Sequence, residues 1–211
     1  MPSWIQEFAP IGILLVVVAI VVGRLPRVEG VEHSDQFRKR RLFNWLPLGL
    51  TYAFLYMGRY NIKVSQHAFG DIDFNGAPMM TNGDFATIFF WGTLIYGSSF
   101  LVNGPLTDRL GGKFANLVGA GGSAVMNLLM GLVTYGIVHD TGFLGVQRDS
   151  LAGSLTTIFS ALYAVNMYFQ SFGAVAIVKC NAPWFHVRER GVFGAIFGIL
   201  ISLGIYFAFD L

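Results

Sequence analysis

One arginine and two tyrosines share a face of a predicted membrane helix. Arg59 follows the charge-free segment from Leu42 to Gly58, and Tyr52 and Tyr56 lie seven and three residues before it. This spacing places the three side chains together on one side of a helix. A guanidinium is permanently charged and can grip two phosphate oxygens, and the tyrosine hydroxyls add donors. The pattern fits two interpretations equally: an anion site inside the membrane, or an Arg59 side chain that extends to the outer interface.

Three neutral polar side chains fall inside other long apolar segments. Asn166 and Gln170 are four residues apart and share a helical face, and Tyr96 lies in an earlier segment. As hydrogen-bonding groups they could line the same cavity as the arginine. The alternative is that they hydrogen-bond between helices and hold a bundle together.

A short charged turn separates two apolar segments. Its sequence is Gly104-Pro105-Leu106-Thr107-Asp108-Arg109-Leu110-Gly111-Gly112-Lys113. Charges this close to hydrocarbon are unfavourable unless they lie at the membrane surface, so we expect Asp108 and Arg109 in a short solvent-side loop. The glycines allow that loop to be tight.

Charge-free apolar runs predict six membrane helices, because most reach the length needed to cross roughly 30 Å of hydrocarbon. They run from Phe8 to Gly23, Leu42 to Gly58, Phe85 to Thr107, Phe114 to Val138, Leu151 to Val178 and Gly191 to Phe209. The first is marginal in length, but no basic residue precedes it and no small-x-small cleavage site follows, so we expect an uncleaved helix. The fold class is therefore an all-α, polytopic transmembrane helical bundle. Its parts are an extra N-terminal transmembrane helix in residues 1–25, a basic cytoplasmic linker at 26–41 and a helical domain at 42–211.

The distribution of Lys and Arg predicts the orientation. With the N-terminus outside, the inner loops hold eleven basic residues and the outer segments hold two, Lys63 and Arg148. The turn at Asp108 is then cytoplasmic. The run Arg38-Lys39-Arg40-Arg41 is interpreted as a signal that fixes orientation; binding of anionic membrane lipid is the alternative.

Composition excludes several classes of function. Hydrophobic residues make up 54% of the chain, charged residues 12%, and the formal net charge is +2. A disordered or ordinary soluble protein does not have this composition, and the clustered cations form no nucleic-acid recognition face. No nucleotide-binding glycine loop, HExxH pair or Cys/His cluster occurs, so we expect no enzyme activity, no cofactor and no metal. The single cysteine, Cys180, cannot form an intrachain disulfide.

Three motifs together resemble the major facilitator superfamily. Gly104, Asp108, Arg109, Gly111 and Lys113 fit the signature loop between its second and third core helices. The segment with Tyr52, Tyr56, Arg59 and Asn61 resembles the first core helix of the organophosphate:phosphate antiporters, and Trp184, Glu189, Arg190 and Gly191 resemble their loop between core helices four and five. The resemblance covers about Leu42 to Leu211. It implies a partial major facilitator fold, with five core helices after the extra one.

The resemblance also implies roles. Arg59, Tyr52 and Tyr56 would line a central anion site. The loop charges Asp108, Arg109, Glu189 and Arg190 would act as a gate, forming pairs in one state that break when the helices rock.

Two departures from the family concern the substrate. The antiporters carry a lysine in the second core helix and a histidine in the fifth, where this chain has Phe100 and about Ile201. An organic anion without phosphate is therefore an alternative substrate. A facilitator also has two six-helix halves, so this chain would be the N-terminal half of a longer protein and would require a C-terminal half.

The sequence thus predicts secondary active transport of a small organic anion in a bacterial inner membrane or plasma membrane. The expected substrate is a phosphate ester such as glycerol 3-phosphate or a sugar phosphate, exchanged for inorganic phosphate through alternating access. Two alternatives are a receptor-like relative that senses an external phosphate ester and a non-transporting membrane subunit.

Overall fold

Long helices dominate the computed structural model, which describes residues 8–9, 11–13, 15–17, 19–20, 33–74 and 76–209. The helices are α1 (Asp35–Asp71), α2 (Asn82–Leu110), α3 (Gly112–Val138), the short α4 (Arg148–Gly153), α5 (Leu155–Asn181) and α6 (Arg190–Phe209). A two-stranded antiparallel hairpin, β1 (Asp73–Phe74) and β2 (Ala77–Pro78), follows α1. Two 3-10 turns, Ala182–Trp184 and Val187–Glu189, connect α5 to α6. The predicted all-α helical bundle is confirmed.

The N-terminal part is described only in pieces. Residues 8–9, 11–13, 15–17 and 19–20 are helical, within the predicted extra helix. The first part of the predicted linker, residues 26–32, lies outside the described residues, and its last part is helical because α1 begins at Asp35.

Three helices of the described chain are long and apolar enough to cross a membrane, namely Asn82–Leu110, Gly112–Val138 and the continuous stretch Leu155–Trp184. Phe193–Phe209 is a shorter apolar helix. Helix α1 has 37 residues and spans roughly 55 Å, so it is much longer than the run predicted from Leu42 to Gly58. The helix therefore extends at both ends beyond the apolar run, into segments that carry charged residues.

Local signals explain the helix ends. Thr81 and Asp84 form a capping box at the start of α2: the Thr81 N–H donates to the Asp84 carboxylate at 2.8 Å, and the Asp84 N–H donates to the Thr81 hydroxyl at 3.3 Å. Between α2 and α3 stands the single residue Gly111, whose φ of 87° is easily adopted only by glycine. The charged turn is thus tighter than predicted, with Asp108 and Arg109 in the last turn of α2 and Lys113 in the first turn of α3.

The chain divides into two compact units, Met1–Tyr60 with Ile177–Leu211, and Asn61–Ala176. In the first unit, helices α1 and α6 pack around a buried hydrophobic core. Its members are Trp45, Leu48, Ile177, Phe185, Ile196, Phe197, Leu200 and Leu203. In the second unit, α2, α3 and α5 surround a core that includes Phe85, Ile88, Ile137, Leu155 and Phe159. Many other large apolar side chains of these helices are exposed, as lipid-facing surfaces require.

Candidate anion site and charged contacts

Arg59 lies against a row of tyrosines on α1. Its guanidinium carbon is 4.6 Å from the centre of the Tyr56 ring, a cation–π contact. The Tyr56 ring meets the Tyr52 ring edge-on at 5.1 Å between centroids. All three side chains are partly buried. The helix therefore brings together the three residues that the sequence predicted as an anion site.

Tyr60 extends this row and was missed by the sequence analysis. Its ring is stacked on Tyr56 at 6.4 Å and also contacts Phe209 of α6 at 5.9 Å. The signal was present, because 52, 56 and 60 repeat at the four-residue spacing of one helical face. Tyr52, Tyr56 and Tyr60 thus form an aromatic stripe along α1, and Arg59 contacts its middle ring, that of Tyr56.

The neutral polar residues form a separate cluster within the second unit. Asn166 and Gln170 of α5 are fully buried, and Ser123 of α3 is 3% exposed. The Ser123 hydroxyl donates to Asn166 Oδ1 at 2.6 Å, and Gln170 Nε2 donates to the same oxygen at 3.1 Å. This geometry corresponds to the hydrogen-bonded helix contact that was the alternative to a cavity lining.

Tyr96 has a different environment. It is partly buried on α2, and its ring meets Phe100 edge-on at 5.0 Å. Phe100 lies at the position where the organophosphate:phosphate antiporters carry a lysine. Tyr96 also packs against the hydrophobic core of the second unit.

Residues of the signature loop keep their charges at the protein surface. Asp108, Arg109 and Lys113 are exposed, whereas Gly104 lies within α2, partly buried, with no neighbouring atom within 4 Å of the position that a Cβ would occupy. Gly111 makes the turn and donates its N–H to the Thr107 carbonyl at 2.9 Å. Their location on the solvent side of the membrane remains a prediction.

Glu189, one of the predicted gate residues, is buried and paired within the first unit. Arg41 Nη1 donates to both Glu189 carboxylate oxygens at 3.1 Å, and both side chains are less than a tenth exposed. The His186 backbone N–H donates to Glu189 at 3.1 Å, and His33 Nε2 lies 3.5 Å from it. Arg190 follows at the start of α6 and is exposed.

These contacts set the protonation of Glu189. Burial raises the pKa of its carboxyl, but the hydrogen bonds from Arg41 and from the His186 N–H, together with the Arg41 and His33 charges, outweigh burial and hold the pKa below its ordinary value. Arg41 also makes a cation–π contact, since its guanidinium carbon lies 4.7 Å from the centre of the Phe185 ring. From the sequence, Arg41 was predicted only as one member of a basic run. No local pattern identifies its partner, which is 148 residues away in the chain.

Comparison with known proteins gives two significant relatives. The chain is 26% identical over 176 residues to the membrane sensor protein UhpC of Salmonella typhimurium. The aligned region covers 82% of this chain and 34% of that protein. It is 25% identical over 174 residues to the membrane sensor protein UhpC of Escherichia coli, with the same coverage. The chain therefore spans about a third of the length of these curated relatives. No family model matches the chain, and no solved structure matches it significantly. Together with its long apolar helices, the similarity makes this chain a membrane protein similar to membrane sensors.

Proposed function

We propose that this chain is part of a multi-pass protein of the inner or plasma membrane that senses a small organic anion, a phosphate ester such as glycerol 3-phosphate or a sugar phosphate. The observation that carries the proposal is the contact of Arg59 with Tyr56 beside Tyr52 on α1. A guanidinium can lie with its face against an aromatic ring and bind two phosphate oxygens through its edge. The protein acts by binding, without enzyme chemistry, cofactor or metal.

Sensing takes precedence over transport for two reasons. Both significant relatives are named membrane sensor proteins and align with most of this chain. In addition, Phe100 and about Ile201 replace the lysine and histidine that the antiporters carry, so the chain lacks part of their substrate chemistry. A receptor needs to hold its ligand, and Arg59 with its tyrosines supplies that function.

Exchange transport is the second candidate, and the signature turn favours it. Gly111 is the single residue between α2 and α3, with exposed Asp108 and Lys113 on either side. This short turn resembles the loop between core helices two and three of major facilitator transporters. In this candidate the anion exchanges for inorganic phosphate through alternating access, and the loop charges with Glu189 and Arg190 stabilise one state. Both candidates include a C-terminal half that completes the site, as the resemblance implies.

Binding and exchange are measured on the same protein. We would purify the product of the longest open reading frame that contains this chain, with Arg59→Lys as the test variant and Lys63→Gln as the control. Lys63 is an exposed cation on the same helix, one turn further along. Binding of labelled glycerol 3-phosphate and hexose phosphates is followed in detergent, and exchange is followed in proteoliposomes loaded with inorganic phosphate.

Arg59→Lys is expected to weaken binding by at least about tenfold, because lysine cannot make the bidentate contact. Binding without exchange supports the sensor, and saturable exchange that Arg59→Lys abolishes supports the transporter. Binding that survives in Arg59→Lys, or that Lys63→Gln reduces equally, contradicts the assignment of the site. A protein that binds none of these anions is instead a structural subunit or has a different substrate.

A further inference from the structure

The four cations of the run 38–41 do not have the same environment. Arg41 is 6% exposed and is neutralised by Glu189. Arg38, Lys39 and Arg40 are exposed in the first turns of α1. Only these three can meet a ligand outside the protein.

The Arg41–Glu189 pair brings further cations to the same place. Glu189 ends the second 3-10 turn, and its sequence neighbours Arg188 and Arg190 are both exposed. A second contact holds this connection beside α1, since the rings of Phe37 and Trp184 are 5.4 Å apart. We call the five exposed cations, Arg38, Lys39, Arg40, Arg188 and Arg190, the basic face. Asp35 is the one exposed carboxylate in the described stretches 33–43 and 179–190.

Large apolar side chains accompany the basic face. Phe43 is 79% exposed on α1, two residues after the buried Arg41, and Val187 is 68% exposed beside Arg188. Trp184 is partly exposed on the connecting turn. Cations next to exposed aromatic and aliphatic groups are typical of a segment at the boundary between headgroups and hydrocarbon. A solvated loop or a face for an acidic soluble protein does not require the apolar side chains.

We propose that the basic face binds the headgroups of anionic phospholipids in the surrounding bilayer. Juxtamembrane clusters of Lys and Arg are attracted to anionic leaflets, and the attraction grows with each cation near the surface. Five cations spread over two chain segments match a surface with many phosphates rather than a single free anion. The Arg41–Glu189 pair serves this surface by fixing the 3-10 turn beside α1.

Lipid selectivity is the property to measure. The full-length protein is released from nanodiscs that contain equal amounts of phosphatidylglycerol and phosphatidylcholine, and the retained lipids are counted by native mass spectrometry. The test variant is Arg38→Gln with Lys39→Gln and Arg40→Gln. Its control, Arg38→Lys with Lys39→Arg and Arg40→Lys, keeps every charge. We expect phosphatidylglycerol to be enriched several-fold in the wild type and in the control, and the enrichment to fall by at least about half in the test variant.

A second variant avoids any effect of the run on membrane insertion. Arg188→Gln removes one cation from the short turn and is compared with Lys63→Gln, which removes an exposed cation elsewhere. Loss of enrichment in Arg188→Gln alone supports the proposal. The proposal is overturned if the wild type shows no enrichment, if the neutralised variants retain it fully, if Lys63→Gln lowers it equally, or if millimolar inorganic phosphate abolishes it.

Discussion

Glu189 is a carboxylate on which burial and charge act in opposite directions. Burial raises its pKa, yet the hydrogen bonds from Arg41 and His186 prevail, so the folded-state pKa lies below the ordinary 4.5. A lowered folded-state pKa means that the stabilisation is complete above the ordinary value and is lost as the pH falls through the folded-state pKa. We therefore expect the thermal midpoint of the purified protein to be insensitive to this group near neutral pH and to decline in acid.

The Glu189→Gln variant tests this expectation. It should lower the free energy of unfolding by about 1.5–3 kcal/mol at neutral pH, because a charged hydrogen-bonded pair is lost. It should also reduce the decline in acid. Thermal unfolding in detergent across the acidic range measures both, with Asp35→Asn, an exposed carboxylate, as the control. Equal losses in the two variants would contradict the special role of Glu189.

The individual residues also show what sequence reasoning can and cannot find. Arg59, Tyr52 and Tyr56 were predicted to lie together because their contact is local and follows from helical geometry alone. Arg41 looked identical to its three basic neighbours, since what distinguishes it is a contact with Glu189 far along the chain. Spacing predicts local contacts, but a long-range pair depends on the packing of whole helices.

Gly204 allows a close backbone contact between α1 and α6. A Cβ on Gly204 would overlap the backbone carbonyl of Ala53 on α1, which cannot move aside as a flexible side chain can. Gly198, on the same helix, has no heavy atom of the described structure within 4 Å of its Cβ position. Gly204→Ala should therefore destabilise the protein by about 1–3 kcal/mol, whereas Gly198→Ala should leave its stability unchanged or raise it by up to about 1 kcal/mol. Thermal unfolding in detergent distinguishes them; equal midpoints for the two variants would refute this packing.

Ser123, Asn166 and Gln170 form a hydrogen-bonded cluster between α3 and α5 whose role can be tested. Ser123→Ala removes the donor to Asn166 Oδ1 and should cost about 0.6 kcal/mol of stability while leaving anion binding unchanged. Ser98→Ala is the matched control, because that exposed hydroxyl donates at 2.9 Å to Leu94 within its own helix. A loss of anion affinity in Ser123→Ala, at unchanged stability, would instead place this cluster in the binding site.

The helices themselves were predicted better than their ends. The run from Phe114 to Val138 agrees closely with α3, because its apolar length alone specifies a membrane helix. Charged residues were taken as boundaries, yet α2 continues through Asp108 and Arg109 to Leu110. Backbone hydrogen bonding does not stop where hydrocarbon ends, so hydropathy locates the membrane segment rather than the helix.

Across the whole molecule, the orientation in the membrane is a prediction that single cysteines can test. The excess of basic residues places the loop after α3 outside and the connection between α5 and α6 inside. Leu144 is 85% exposed in the first of these, and Val187 is 68% exposed in the second. Both positions are therefore accessible to a reagent on their own side of the membrane.

The experiment starts from a background in which Cys180, the single cysteine of this chain, and every cysteine in the rest of the open reading frame are replaced by alanine. In intact cells, a membrane-impermeant maleimide should label Leu144→Cys and should label Val187→Cys only after the cells are permeabilised. The reverse pattern would invert the orientation, and it would place the basic face on the outer surface, where an anionic cytoplasmic leaflet could not attract it. Labelling of both positions in intact cells would show that the two loops lie on the same side. In that case α5 would not cross the bilayer between them. Half of its most apolar stretch is buried in the protein, and packing alone would account for that burial.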